Sequence, residues 1–167
     1  MKEINIGEAT KLTSPDPLVM VCTEKEDGTT NLAPVSFVSY LSFNPAMIGF
    51  GMGKASHSGK RVRETKKVVL AVPSKEIAEQ VMACGTTTGS KTDKVKEFNI
   101  ELMDCPNTTV KAPKDSKVLF VATLDKFIEV GDHYFYACNI YGMYADESKE
   151  ALFAWDGYAK VSPAKEQ

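Results

Sequence analysis

The sequence has no apolar run approaching the roughly 20 residues needed to cross a bilayer. Its opening stretch, MKEINIGEATKLTSPDP, contains no apolar core of the signal-peptide kind. A soluble, cytoplasmic protein with no membrane partner is the expectation. Histidine is scarce, limited to His57 and His133. Neither GxSxG nor HExxH occurs, and the His, Cys and carboxylate residues are dispersed. No metal site is therefore expected, and no catalytic side chain is assigned. The four cysteines, Cys22, Cys84, Cys105 and Cys138, include no CxxC pair and read as reduced thiols. A formal net charge of -2 over 167 residues argues against a nucleic-acid partner.

A hydrophobic content of 43% and a charged content of 25% are those of an ordinary globular protein, and the length suits one domain over residues 1–167. The charge is unevenly placed. Lys54, Lys60, Arg61, Arg63, Lys66 and Lys67 face only one acid in the same stretch, Glu64. Such a run is either a solvated face or a site for an anionic ligand.

Strand signals dominate. PLVMVCTEKEDGTTNLAPVSF reads as two β-runs about an Asp27-Gly28 turn, and PAMIGFGM as a third strand opened by Asn44-Pro45. One face of that third strand carries Ala46, Ile48, Phe50 and Met52; the other carries Met47, Gly49, Gly51 and Gly53. A face so short of side chains admits close approach by a flat ligand or by another part of the chain. Residues 58–66 turn helical, and KKVVLAVP gives a buried strand ending at Pro73. Ser74 is the expected N-cap of a helix over KEIAEQVMAC, with Gly85 as its stop. DKVKEFN suggests a short helix and ELMDCPNTTVKAPKDS a loop. KVLFVATLDKFIEV and HYFYACNIYGMYA form the strongest hairpin, about Gly131-Asp132, and ALFAWDGYAKV adds one short strand. Without regular βα alternation, an antiparallel β-barrel with helices on its outside fits best.

Two glycine-rich stretches imitate nucleotide motifs and fail on context. GFGMGK lies inside a strand, where a dinucleotide fingerprint needs a strand-to-helix turn. GTTTGSKT follows a helix and has the wrong spacing for a P-loop. What remains is an anion-binding constellation. Lys54, Ser56, His57 and Ser58 fall at a strand end and helix start, where unpaired N–H groups and the helix dipole favour negative charge. Plain N-capping accounts for the serines as well. Upstream, Asn31 to Ser39 mixes small polar groups with apolar surface, as the rim of a planar hydrogen-bonding ring system would, though Asn31 and Ser36 could equally serve turns. Together these features suggest a phosphorylated planar cofactor.

Four stretches then resemble the flavin reductase-like family, which includes the flavoredoxins. They are EDGTTNLAPVSFVSYLSFNPAMIGFGM, ASHSGKRVRETKKVVLAVPS, CGTTTGSKTDKVKEF and VGDHYFYACNIYGMYAD. The resemblance covers roughly residues 15–160. It implies an FMN-binding split β-barrel, mainly β and antiparallel, of Greek-key type. It further implies that Asn31, Ala33, Pro34, Val35 and Ser36 line the isoalloxazine edge. Lys54, Ser56, His57 and Ser58 would hold the FMN phosphate, with Lys94 nearby. Departures are Thr88 for the usual Ser, a base displaced to Lys91, and Lys54 where an arginine is common; lysine lacks arginine's bidentate fork. The implied activity is NAD(P)H-dependent flavin reduction, with NADH or NADPH as a transient donor and a homodimer as the assembly. The alternatives are a flavoredoxin-type electron carrier served by a redox partner protein, and a module holding haem or nothing. His133 is implied as a hallmark, either catalytic or ordering its turn. For Trp155, core or dimer packing is expected over flavin stacking.

Overall fold

The computed structural model describes residues 1–164; the single-domain expectation runs to 167, and its last three positions lie outside the described residues. A short helix, α1 (Ile6–Leu12), opens the chain where the sequence suggested none. The Asn5 side chain accepts from Glu8 N, and the Glu8 side chain reaches back to Asn5 N, so a capping box starts it. Strands β1 (Val19–Glu24) and β2 (Thr30–Val35) form the expected hairpin, with Gly28 at φ +80° in its turn. A strand not foreseen, β3 (Val38–Phe43), precedes β4 (Ala46–Gly53). Its residues are mostly exposed, so no buried-face pattern announced it.

Helix α2 (His57–Thr65) and strand β5 (Lys67–Pro73) follow as read. Ser74 does not cap a helix. Its hydroxyl donates to the Asp115 carbonyl at 2.9 Å, a 3-10 turn (Lys75–Ile77) comes next, and α3 (Ala78–Gly85) begins only after it. α4 (Lys94–Glu97) is the expected short helix, capped by the Asp93 side chain. The expected loop contains two small strands, β6 (Leu102–Met103) and β7 (Ala112–Pro113). β8 (Ser116–Val130) and β9 (His133–Ala145) make the long hairpin. The final stretch is a hairpin rather than one strand: β10 (Leu152–Trp155) pairs with β11 (Lys160–Pro163), and the half-buried Trp155 indole donates to the Ser162 carbonyl at 3.2 Å.

Seven strands form one sheet in the order β2-β1-β5-β8-β9-β4-β3, every pair antiparallel. Its two edges, β2 and β3, are joined by Ser36 and Phe37 alone. So short a link requires the sheet to curl until its edges meet. A bond from Gly51 N to the Phe37 carbonyl, at 2.8 Å, fastens that corner. β5 returns to pair with β1, and the β8–β9 hairpin fills the gap between β5 and β4. The result is the antiparallel Greek-key barrel, with helices outside, that the sequence suggested.

Successive side chains of a strand point to opposite faces, and here both faces are covered. Val21, Phe50, Val68, Leu70 and Tyr136 fill the barrel interior. Cys22, Leu32, Val69, Val81 and Val121 form a second core beneath α3 and α4. Each such side chain contributes about 1.5–3 kcal/mol when fully buried, and β1, β5 and β8 supply both cores, which ties the helical layer to the barrel. All four cysteines are unbonded and buried. The glycine face of β4 is largely answered by the chain's own rings: a side chain at Gly49 would collide with Phe135, and one at Gly51 would press on Phe37. Gly53 faces open space.

Candidate functional site

The ends of β2 and β4, the start of α2 and the loop between α3 and α4 converge on two adjoining cavities. The first, of about 350 Å³, is polar. Asn31, Ala33 and Pro34 of β2 form one wall, Ser56, His57 and Ser58 another, and the loop Thr86–Gly89 a third, with Lys94 behind. The local order has clear causes. Ser56 caps α2, its hydroxyl accepting from Gly59 N at 3.2 Å. Ser58, almost wholly buried, accepts from the Asn31 side-chain amide at 2.8 Å, so the helix start is pinned to β2. Lys94 is only 4% exposed and donates to the carbonyls of Leu32 and Cys84 at 2.9 and 2.7 Å. Burial pushes its pKa down, opposed by the Cys84 side chain. Two of its three N–H donors are thus engaged in holding β2 to α3.

The second cavity, of about 400 Å³, is larger and more apolar. It shares Pro34 and Ser56 with the first and continues along Val35, Ser36, Met52 and Gly53 to His133 and Tyr158. The His133 ring lies 5.6 Å from that of Phe37 and bonds through Nδ1 to the Asp132 carboxylate at 2.8 Å. Tyr158, at φ +72°, sits against Gly85; desolvation raises its phenol pKa well above the ordinary value.

Nine of the ten residues singled out from the sequence line these two cavities: Asn31, Ala33, Pro34, Ser56, His57, Ser58 and Lys94 the first, Val35 and Ser36 the second. Lys54 does not. Its amine pairs with Glu129 at 2.5 Å, away from both linings. Most of the basic run is likewise engaged within the chain. Arg61 binds Glu26, Glu64 and the Glu24 carbonyl, and Arg63 contacts the Tyr136 hydroxyl while lying 4.8 Å over the Tyr134 ring. The stretch therefore serves chiefly to hold α2. The sequence reading missed Thr86, Thr87, Thr88 and Gly89 as lining residues, and also Tyr158. The threonine run was the available signal, since three hydroxyls in a row after a helix stop are more than a turn requires. Tyr158 carried none, because it falls inside a run that alternates like a strand.

Residues 12–162 match the family described as "Flavin reductase like domain". The chain belongs to the flavin reductase-like family. Similar solved structures include a flavoredoxin from Methanosarcina acetivorans, 18% identical, TM-score 0.84, covering 100% of this chain and 94% of that one. An FMN-binding protein from Thermus thermophilus with bound p-hydroxybenzaldehyde is 15% identical, with TM-score 0.85 and coverages of 100% and 95%. A flavoredoxin of Desulfovibrio vulgaris (Miyazaki F) is 17% identical, with TM-score 0.85 and coverages of 100% and 95%. At such identities the likeness shows the fold alone. The chain spans 58%, 64% and 49% of the lengths of three curated relatives that it matches.

Flavin reductase-like proteins imply a flavin, and the residues present fit one. Buried polar groups are nearly always hydrogen-bonded, yet Asn31 Oδ1, His57 Nε2 and the Tyr158 hydroxyl, besides Thr23 Oγ1 away from the cavities, have no partner among the described residues. The first two belong to walls of the polar cavity and the third to a wall of the larger one. At position 89 any side chain would collide with the Asn31 carboxamide, so glycine there lets the loop lie directly against Asn31. Orphaned hydrogen-bonding atoms around a polar pocket, joined to a wider apolar one, match a ligand with a phosphate tail and a flat ring system.

Proposed function

We propose that this flavin reductase-like chain binds FMN and works as an NAD(P)H-dependent flavin reductase. The observation that carries the reading is the joining of the two cavities at Pro34 and Ser56, one rich in hydroxyls and the other wider and more apolar. When bound, FMN supplies a two-electron centre that takes a hydride from NADH or NADPH and gives its electrons onward. Everything else is the work of the protein.

In this reading Ser56, His57 and Ser58 hold the phosphate at the N-terminus of α2, where the helix dipole and free N–H groups favour an anion. The threonine hydroxyls of 86–88 donate from the opposite wall, and Lys94 adds positive charge from behind. Lys54 is left out of the phosphate site because Glu129 already neutralises it. Asn31 fixes Ser58 for the ligand, its side-chain amide donating to the Ser58 hydroxyl. Ala33, Pro34, Val35 and Ser36 run along the ring edge, with backbone groups able to bond its polar rim. Val35, Phe37 and Met52 supply the apolar part of the larger cavity against which the ring would lie, and the His133–Asp132 pair stands at its margin. A homodimer fits the exposed apolar residues Tyr40, Phe43, Ile128 and Met143 on β3, β8 and β9.

Rapid mixing of the FMN-loaded protein with NADH or NADPH in the absence of oxygen tests the activity. Loss of the flavin absorption band at a rate that rises with nucleotide concentration is the expected result. A second reading, an electron carrier reduced by a partner protein, is favoured by the likeness to a flavoredoxin. An unchanged band with both nucleotides would select it over the first.

A further inference from the structure

A third cavity, of about 460 Å³, is larger than either of the two above and shares no lining residue with them. It is a recess in the barrel interior. Val19, Ile48 and Phe120, all members of the interior core and at most 5% exposed, line its depth. Tyr40 stands at its rim, 69% exposed, on the same face as its cross-strand partner Ile48 and with its ring edge-on to Phe120 at 5.9 Å. The topology gives the recess its cause. β3 is an edge strand bonded to β4, and beyond the Phe37 corner no strand among the described residues bonds its other edge, so the interior lies open beside it.

Mouths of β-barrels are favoured places for small-molecule pockets, which are mostly apolar, hold few polar groups and measure roughly 300–1,000 Å³. This recess has that character. Among the described residues, Lys117 is the one charged member of its lining, and it has no carboxylate partner. Lys75 and Lys149, on the adjoining segments, are paired with Glu150 and Asp115. Lys117 instead donates to the backbone carbonyls of Glu147 and Lys149, at 3.4 and 2.6 Å. An ammonium has three donors, so one remains. An apolar recess bordered by a single uncompensated cation suits an apolar chain that ends in one negative charge.

We propose that this recess is a binding site for a medium-chain aliphatic monocarboxylate, the chain lying in the barrel mouth and the carboxylate on Lys117. The site stands apart from the two cavities assigned to the flavin and does not depend on that reading. Tyr40 at its rim also belongs to the apolar surface offered to a second copy, so the test compares the dimer with a monomeric variant.

Octanoate and 1-octanol share a chain and differ in the head group, and calorimetric titration of each, with and without excess FMN, tests the assignment. Octanoate is expected to bind once per chain whether or not FMN is present. 1-Octanol should bind about tenfold more weakly, for want of the charge-assisted bond. Lys117→Gln brings octanoate down to the level of 1-octanol and leaves 1-octanol unmoved. Val72→Phe and Val118→Phe, at half-buried positions of the lining, fill the recess and abolish binding of both probes. Two separate fillings guard against one of them failing to fold, which circular dichroism reports. Phe43→Glu, outside the lining, leaves octanoate binding as it was. The proposal is overturned if octanoate does not bind, binds no tighter than 1-octanol, or is displaced by FMN. It is overturned equally if binding survives a folded Val72→Phe or Val118→Phe variant. Octanoate binding that appears only in Phe43→Glu would give the recess to the second copy and would also end it.

Discussion

Asn31 and Lys54 are both polar residues at strand ends, and the structure gives them opposite standing. Asn31 is 3% exposed, donates to Ser58 and keeps a buried oxygen without a partner. Lys54 is in solvent on one side and paired with Glu129 on the other. Leaving a buried polar group unmatched costs about 1–3 kcal/mol, whereas an exposed ion pair contributes about 0–1 kcal/mol. Asn31→Ala should therefore weaken FMN binding by about 1–3 kcal/mol, and Lys54→Ala by less than about 1 kcal/mol. Titration of each variant followed by flavin absorbance separates them. Equal losses would return Lys54 to the phosphate site. Lys54 was legible in the sequence as a base beside a helix start, but its partner lies 75 positions away on another strand. No local pattern points across that distance.

Elements whose signal is local were readable before any coordinates. The β1–β2 turn declared itself through Asp27-Gly28, and α2 through Ser56 and the composition after it. The β8–β9 hairpin did so through long alternation about Gly131-Asp132. β3 was not readable, because both its faces are largely outside the core and its serines blur the alternation. The same exposure gives β3 its purpose in the proposed assembly. Phe43 is 98% exposed, and Tyr40 and Leu41 on the same strand are also open. Contiguous apolar exposure of this kind marks a surface meant for covering. The unaltered protein should sediment as a dimer, and Phe43→Glu should shift it toward the monomer with its circular dichroism retained. A monomer before the substitution would rule the homodimer out. Of the candidate site, Ser56, His57 and Ser58 were legible because a strand end and a helix start, β4 and α2, adjoin in the sequence, and the β2 residues were legible through the resemblance carried by EDGTTNLAPVSF. The Thr86–Gly89 wall had only its threonine run as a signal, and Tyr158 had none, since tertiary folding alone brings it to the cavity.

For the molecule as a whole, two cores on either side of one sheet also bury every thiol. Desolvation raises the Cys84 pKa from 9.0 to about 11 and that of Cys138 to about 12, and Cys22 and Cys105 move the same way. A thiol whose folded pKa is raised stabilises the fold fully below its unfolded pKa, and that contribution is lost as pH climbs through the folded value. Lys94, whose folded pKa is lowered, acts in the opposite sense: its destabilising effect is relieved as pH rises toward 10.5. Four thiols outweigh one lysine, so stability against denaturant should hold up to about pH 9 and decline between there and about pH 12. Cys138→Ala should flatten part of that decline. A stability profile level through pH 11 would show that the thiols are not shielded as the two cores require.

The central claim is that the polar and apolar cavities, joined at Pro34 and Ser56, hold the tail and head of one molecule. Titrating the protein with FMN and, separately, with riboflavin tests it most directly, because the two share the ring system and differ in the phosphate. Saturable binding of both, with FMN tighter by at least about tenfold for the charge-assisted bonds gained, is the predicted result. Equal affinity for the two, or no binding of FMN, would contradict it.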